Sequence, residues 1–255
     1  MENLIVIKIG GNVIDNPAAL EAFLRDFASI PGAKILVHGG GAIASRTLEK
    51  MGIEPKMIEG RRVTDADTLQ VVTAVYAGLI NKTIVATLQK FGCNAAGLSG
   101  ADCNAIVSRK RPATPVDYGF VGDVETVNSQ AFSLFLGAGI TPVVCAINHD
   151  GCGQLLNTNA DTVASAIACA MSRSYDTELI LCFEKDGVLM DANDEKSLIA
   201  TIDKAMFERL KSDGKVSKGM LPKLKNAFDA IDAGVGRVTI KNSGKLTLES
   251  GTTIQ

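Results

Sequence analysis

Neither sign of charge dominates this sequence: 26 lysines and arginines stand against 28 aspartates and glutamates, a formal charge of -2. Such a balance offers no strong field for nucleic acid or anionic lipid, so the expected partner is a small molecule. No apolar stretch approaches the roughly 18 residues of a membrane span. The first residues hold no cationic segment ahead of the apolar run, and Lys8 interrupts that run, unlike a secretory signal. A soluble, cytoplasmic protein is expected. Cys-x-x-Cys spacing is missing as well. Cys93, Cys103, Cys145, Cys152, Cys169 and Cys182 are scattered, and only His38 and His149 could join them as soft ligands, so buried reduced thiols are expected rather than a zinc site. There is no G-x-x-x-x-G-K-[ST], no G-x-G-x-x-G after a strand, and no H-R-D or D-F-G triplet. The P-loop, dinucleotide and protein-kinase fingerprints are thereby excluded.

What is present is enough apolar material, 46% of 255 residues, for one large domain or two closely joined lobes. Leu4 to Ile9 is a short β-branched run, and Asn16-Pro17 after it reads as an N-cap with proline in the first helical turn. Leu20, Phe23, Leu24 and Phe27 then recur at helical spacing until Pro31-Gly32 ends the pattern before a strand at Lys34 to Val37. This is a β-α-β unit. A long amphipathic helix is expected from about Thr64 to Lys90, with Leu69, Val72, Tyr76, Leu79 and Ile80 on one face, followed by apolar runs near 94–98 and 140–147. Gly119 to Val127 alternates and is punctuated by glycine, which suits an antiparallel hairpin at the sheet's rim, able to act as a lid. A small-residue helix at Ala160 to Met171, a strand at Glu178 to Phe183, a helix near Lys218 to Ala233 and a strand at Arg237 to Lys241 complete the chain. The alternation implies a mainly parallel sheet covered by helices, with a soft lobe boundary near residue 173 and no tether between the lobes.

Three glycine turns follow predicted strands: Gly10-Gly11 after Lys8, Gly39-Gly40-Gly41 after His38, and Gly187 after Glu184, Lys185 and Asp186. At the carboxyl ends of strands in an open α/β sheet such turns can converge on one ligand, and their backbone N–H groups suit phosphate. Each alone is more simply a tight turn; the three together favour a site. Lys8 in an apolar strand is costly without an anion, which points to function. Asp161 reads equally as an N-cap of the helix it begins, Asn157 and Asn159 as turn residues, and Lys223 as a solvated lysine in a first helical turn. Arg62 next to Arg61 suits either surface charge or bidentate binding of a carboxylate.

Lys8-Ile9-Gly10-Gly11, His38-Gly39-Gly40-Gly41, Gly60-Arg61-Arg62-Val63-Thr64, Leu156 to Asp161, Gly219-Met220 with Lys223, and Gly251-Thr252 with Ile254 occur in the order that resembles the amino acid kinase family, in its acylglutamate branch. The resemblance implies an αβα sandwich, residues 1–173 binding the acylated amino acid and forming a homodimer, and residues 174–255 binding ATP. It implies ATP-dependent phosphorylation of the γ-carboxylate of N-acetyl-L-glutamate, on the way to ornithine and arginine. Lys8 and Lys223 would hold the transferring phosphoryl group, Asp161 would orient both ammonium groups, and Gly11 and Gly40 would donate backbone hydrogen bonds. Arg62 and Asn157 would grip the α-carboxylate, with Gly40 and Gly41 beside the substrate and Asn159 near the reacting groups. Gly10, Glu184, Lys185, Asp186, Gly187, Val188 and Leu189, with Lys215, Val216, Ser217, Lys218, Gly219 and Met220, are the nucleotide candidates. Glu184 stands where relatives commonly carry aspartate. Magnesium would come with ATP, held by phosphates and water rather than by protein ligands.

The chemistry agrees. A γ-carboxylate, with a reference pKa of about 4.3, is already an ionised nucleophile at neutral pH and needs no general base. Its obstacle is repulsion by the phosphate, which calls for fixed cations and N–H groups. His38 is accordingly expected to be structural. Free glutamate as acceptor, and a non-catalytic binding module on the same fold, are the alternatives; N-succinylglutamate is another. A succinyl group would bring a further carboxylate and require an added cation. Arg61, on the opposite strand face from Arg62 if extended, and the Arg109-Lys110-Arg111 run, read as a solvated loop near the lid, do not obviously supply it. The resemblance also implies a homodimer without arginine feedback, because arginine-sensitive relatives carry an extra helix before the first strand and here that strand begins by Leu4.

Overall fold

The computed structural model describes residues 1–191, 194–212 and 220–255. Strands β1 (Asn3–Ile9), β2 (Ala33–His38), β5 (Ala95–Leu98), β8 (Thr141–Cys145), β11 (Asp176–Phe183), β12 (Thr201–Ile202), β13 (Arg237–Asn242) and β14 (Thr252–Ile254) form one eight-stranded sheet in the order β12-β14-β13-β11-β1-β2-β8-β5. All its pairings are parallel except β13 with β14. The pleat sends alternate residues to opposite faces. Leu4 and Val6 of β1, Ile35 and Val37 of β2, and Leu179 and Leu181 of β11 join one core, while Ile7 and Ile9, Leu36, and Ile180 and Cys182 join the other. Apolar residues on both faces make these strands near-continuous hydrophobic runs, as a doubly covered sheet requires.

On the first face lie α6 (Ser129–Gly137), α7 (Ala160–Met171), α8 (Lys204–Ser212) and α9 (Leu221–Asp232); on the second lie α1 (Gly11–Asp15), α2 (Pro17–Ser29), α3 (Gly41–Lys50) and the run of α4 (Ala66–Thr73), a π-helical Ala74–Ile80 and α5 (Asn81–Lys90). The result is an αβα sandwich. Asn16 caps α2 as its sequence suggests, its Oδ1 accepting from the backbone of Ala18 and Ala19. Two smaller sheets complete the fold: β10-β9-β6-β7, made of β6 (Ile106–Lys110), β7 (Gly122–Val127), β9 (Ile147–His149) and β10 (Leu155–Asn157), and the pair β3 (Met57–Ile58) and β4 (Arg61–Arg62).

Four expectations change. Leu79 is 60% exposed, although Leu69, Val72, Tyr76 and Ile80 are buried. The π-helical turn closes i→i+5 bonds and so lags behind the α-helical phase, which makes Ile80 rather than Leu79 continue the stripe. The whole run from Ala66 to Lys90 is also long and apolar enough to cross a bilayer, contrary to the expectation from uninterrupted apolar stretches; its stripe packs on the sheet instead. Residues 119–127 do not form a hairpin by themselves, and β7 belongs to the smaller sheet, antiparallel to β6. Gly119 is held elsewhere: Phe120 N donates to Thr64 O and Asn157 N donates to Phe120 O, so the segment threads between two other strand ends. The six cysteines are free, as expected, yet only Cys93, Cys145 and Cys182 are buried, while Cys103 and Cys152 are exposed.

Phe27 of α2 is fully buried, with its ring 6.4 Å from that of Phe23, whereas Leu134 of α6 is 76% exposed. Phe27→Ala is expected to cost about 3–5 kcal/mol in urea unfolding through lost transfer energy and a cavity, and Leu134→Ala about 0.5 kcal/mol or less. Equal effects of the two would contradict this assignment of the core.

Candidate active site

Lys8 has the same parity as Leu4 and Val6, so it leaves β1 on the face covered by α7 and α9. There its Nζ lies 2.7 Å from Asp161 Oδ1, the two side chains being 11% and 17% exposed. Asp161 is in the first turn of α7, where the helix dipole favours a carboxylate. It is not the cap: Asn159 is, its Oδ1 accepting from the backbone N–H of Asp161 and Thr162. Lys223 is in the first turn of α9, its Nζ 4.9 Å from the centre of the Phe183 ring. A cation at a helix N-terminus opposes the dipole, so two helix ends and one strand end bring positive potential to a single place.

The titration of these groups follows from that crowding. Burial pushes the Asp161 carboxyl up, but the Lys8 and Lys223 charges and the Lys8 hydrogen bond outweigh it and hold the group below its usual range. Lys223 is lowered by burial and by Lys8, against Asp161 and Glu184. The contribution of Asp161 to stability is therefore present above its unfolded value and lost as pH falls through its folded one. His38 is fully buried and pushed down to about 4, chiefly by burial. Asn81 Nδ2 donates to its Nε2 at 3.0 Å and also to Val143 O, leaving Nδ1–H to donate to Gly39 O at 2.9 Å. The imidazole is neutral at pH 7 and fastens the glycine turn, a structural role as expected.

A cavity of about 240 Å³ is lined by Lys8, Gly11, Gly40, Gly41, Arg62, Asn157, Asn159 and Asp161. Arg62 is 7% exposed; its Nη2 donates to Gly41 O at 2.9 Å and Ser45 Oγ at 2.7 Å. Its Nη1 is buried without a hydrogen-bond partner among the described residues, a costly state that an anionic ligand would relieve. Asn157 Nδ2 donates to Thr64 Oγ1 at 3.0 Å. Gly40 takes φ +154°, and a Cβ there would stand 2.2 Å from Ile80 Cδ1, so no larger residue fits this turn.

A second cleft, of about 410 Å³, is lined by Lys8, Gly10, Gly11, Glu184, Lys223 and Asn242. Lys8 and Gly11 therefore face both spaces. Glu184, Lys185, Asp186 and Leu189 line a further depression with Lys245, but Asp186 is taken by Lys245 at 2.7 Å and Lys185 by Glu195 at 3.4 Å. The structure does not bring Gly187 and Val188 to an open surface. Val188 is 1% exposed in the core, and a Cβ on Gly187 would be 2.6 Å from Thr252 Oγ1 and Leu198 Cδ1. Met220 packs against the first core. Lys215, Val216, Ser217, Lys218 and Gly219 lie outside the described residues.

Further residues line the cavity beside the expected ones. Arg61 shares the cavity with Arg62, although Arg61 is exposed and Arg62 buried on the two-residue β4. Arg111 is not in a solvated loop: it pairs with Asp123, Nε to Oδ2 at 3.1 Å, and both line the cavity. Arg111, with further help from Arg61 and Arg109, holds the Asp123 carboxyl low. Tyr76 and Thr158 also reach the wall. The signal for Tyr76 was its hydroxyl in an otherwise apolar stripe.

Asp161→Asn removes the larger of the two charges, Asp161 and Glu184, that raise the Lys223 ammonium. NMR titration of lysine ε-methylene groups is expected to show Lys223 losing its proton at lower pH in that variant than in the unaltered protein. A Lys223 titration that is unmoved or moved upward would contradict the proposed charge arrangement.

Residues 3–242 match the amino acid kinase family. The acetylglutamate kinase of Cytophaga hutchinsonii is 55% identical over 241 residues, covering 94% of this chain and 91% of the relative. That of Bacteroides fragilis is 51% identical over 254 residues, 100% of this chain and 97% of the relative. Among solved structures, the smu.665 protein of Streptococcus mutans UA159 superposes with a TM-score of 0.79 at 28% identity, over 99% of this chain and 98% of that one. With a lysine-flanked carboxylate at the junction of two cavities and this extent of sequence matched, the chain belongs to the amino acid kinase family.

Proposed function

We propose that this chain transfers the γ-phosphoryl group of ATP to the γ-carboxylate of N-acetyl-L-glutamate. The observation that carries the reading is that Lys8 and Gly11 line both the cavity holding Arg62 and Asn157 and the cleft holding Lys223. An acceptor in the first space and a phosphoryl donor in the second would meet at those two residues. In the transfer a carboxylate oxygen forms a bond to phosphorus and the bond to the ADP oxygen breaks, with no proton to move. Lys8 and Lys223 counter the charge on the phosphoryl oxygens, Asp161 fixes both ammonium groups between the reactants, and the Gly11 and Gly40 N–H groups add donors. Arg62 Nη1 takes the α-carboxylate, assisted by Asn157.

Magnesium enters with ATP and supplies further charge neutralisation at the phosphates. Asp161, paired with Lys8, is not offered to a metal, which suits an ion held by phosphates and water. Every residue lining the acceptor cavity falls between Lys8 and Thr162, which supports amino acid binding by residues 1–173; the donor cleft is lined by residues 8–19 as well as 183–243, so ATP bound by 174–255 would also meet the first glycine turn. A cytoplasmic homodimer belongs to the same proposal, supported by the family.

A second acceptor, N-succinylglutamate, is favoured by one observation: Arg61 and Arg111 stand on the cavity wall, where a further carboxylate would need a cation. An ATP-consumption assay across N-acetylglutamate, N-succinylglutamate, glutamate, aspartate, carbamate and UMP decides. N-acetylglutamate is expected to give the highest kcat/KM; Lys8→Ala and Lys223→Ala should cut kcat far more than they raise KM, and Arg62→Ala should raise the acceptor KM. No turnover with any acceptor would favour a binding module, and a preference of about 100-fold for succinyl, roughly 2.7 kcal/mol, would establish the second reading.

A further inference from the structure

The helix that runs from Ala66 to Lys90 contains no proline, yet it widens into a π-helical turn over Ala74–Ile80. Such turns recur at functional sites because they redirect side chains that an α-helix would place elsewhere. Here the turn sets Tyr76 and Ile80 against the same glycine. A Cβ on Gly40 would be 3.1 Å from both Cδ1 and Cε1 of Tyr76, so the ring lies flush on the turn that begins α3. Its hydroxyl reaches further along that turn: a Cβ on Gly41 would stand 4.0 Å from Tyr76 Oη. Gly41 is the residue whose carbonyl accepts from Arg62 Nη2. Tyr76 is 6% exposed and lines the acceptor cavity.

The phenol and the guanidinium thus occupy one corner. Burial raises the Tyr76 pKa, with Arg62 acting the other way, so the hydroxyl keeps its proton at neutral pH. Arginine accepts no hydrogen bond, so Arg62 cannot take that proton. Beside it, Arg62 Nη1 is also buried without a partner among the described residues. Two donors next to one another in a closed corner match the two oxygens of a carboxylate.

We infer that Tyr76 is a further substrate-binding residue, its hydroxyl donating to the same α-carboxylate that Arg62 Nη1 holds, and that the pair makes the enzyme select acceptors carrying a free α-carboxylate. This rests on the proposed function and adds a residue to it. A neutral donor to a charged acceptor in a buried corner is worth about 10-fold in affinity or more.

Tyr76→Phe removes only the oxygen and keeps the ring on Gly40. With N-acetylglutamate the variant is expected to show a KM raised about 10-fold, kcat within about 2-fold, an unchanged KM for ATP and an unchanged melting temperature. With N-acetyl-4-aminobutyrate, which keeps the reacting carboxylate and lacks the α-carboxylate, the substitution should change kcat/KM by less than about 2-fold. An unaltered KM for N-acetylglutamate would overturn the inference, and so would an equal loss with both acceptors. Calorimetric binding of N-acetylglutamate keeps the two proposals apart. An unaltered protein that binds it without turnover contradicts the kinase reading, and the Tyr76→Phe binding ratio still tests the grip.

Discussion

The ion pair between Lys8 and Asp161 governs the arrangement of everything around it. An ammonium on a central parallel strand, with apolar neighbours on both sides, is expensive unless an anion stands beside it. Asp161 supplies that anion from the first turn of α7, and the 2.7 Å contact therefore ties the middle of the sheet to the start of a covering helix. Removing one partner of so buried a pair typically costs about 3–5 kcal/mol. The same neutrality leaves Lys223 as the additional charge at the junction, its titration depressed chiefly by burial and further by Lys8. A phosphate would balance that charge.

The remaining polar groups follow from that axis. His38 and Asn81 are buried and satisfy one another and the Gly39 and Val143 carbonyls, which fixes the second glycine turn without contributing charge. Lys34 and Lys241, although on strands of the same sheet, are settled structurally: Lys34 donates to the carbonyl groups of Ala28 and Ile30 near the end of α2, and Lys241 to those of Leu246 and Leu248. Their ammonium groups have backbone acceptors at hand. Lys8 instead meets a carboxylate and lines two cavities, so its ammonium is not consumed by backbone acceptors.

Local periodicity made much of the fold legible. The strand at β1, the cap at Asn16 and the bounds of α7 depend on neighbouring residues only, and the structure keeps them. Leu79 was misread because a π-helical turn is a departure from 3.6 periodicity that no apolar count registers. The hairpin proposed at Gly119 to Val127 was misread because strand pairing is non-local: the alternating residues fit β7, but their partner is β6, and Gly119 and Phe120 serve Thr64 and Asn157 instead. In the site, Lys8 stands out by its chemistry alone, whereas Asp161 and Arg62 read equally as a cap and as surface charge until the order of the motifs is added. Asp123 carries no signal, Tyr76 offers only a hydroxyl in an apolar stripe, and Arg61 and Arg111 read as surface charge until the fold turns them toward the cavity.

The central claim is that Lys8 acts on the charge of the transferring phosphoryl group rather than on binding of the reactants. Calorimetric affinity for two ternary complexes tests it most directly, one formed with MgADP, aluminium fluoride and N-acetylglutamate, the other with a non-hydrolysable ATP analogue and the same acceptor. Lys8→Ala is expected to weaken the first by about 100-fold or more and the second by less than about 10-fold. Equal losses in the two complexes would contradict the account.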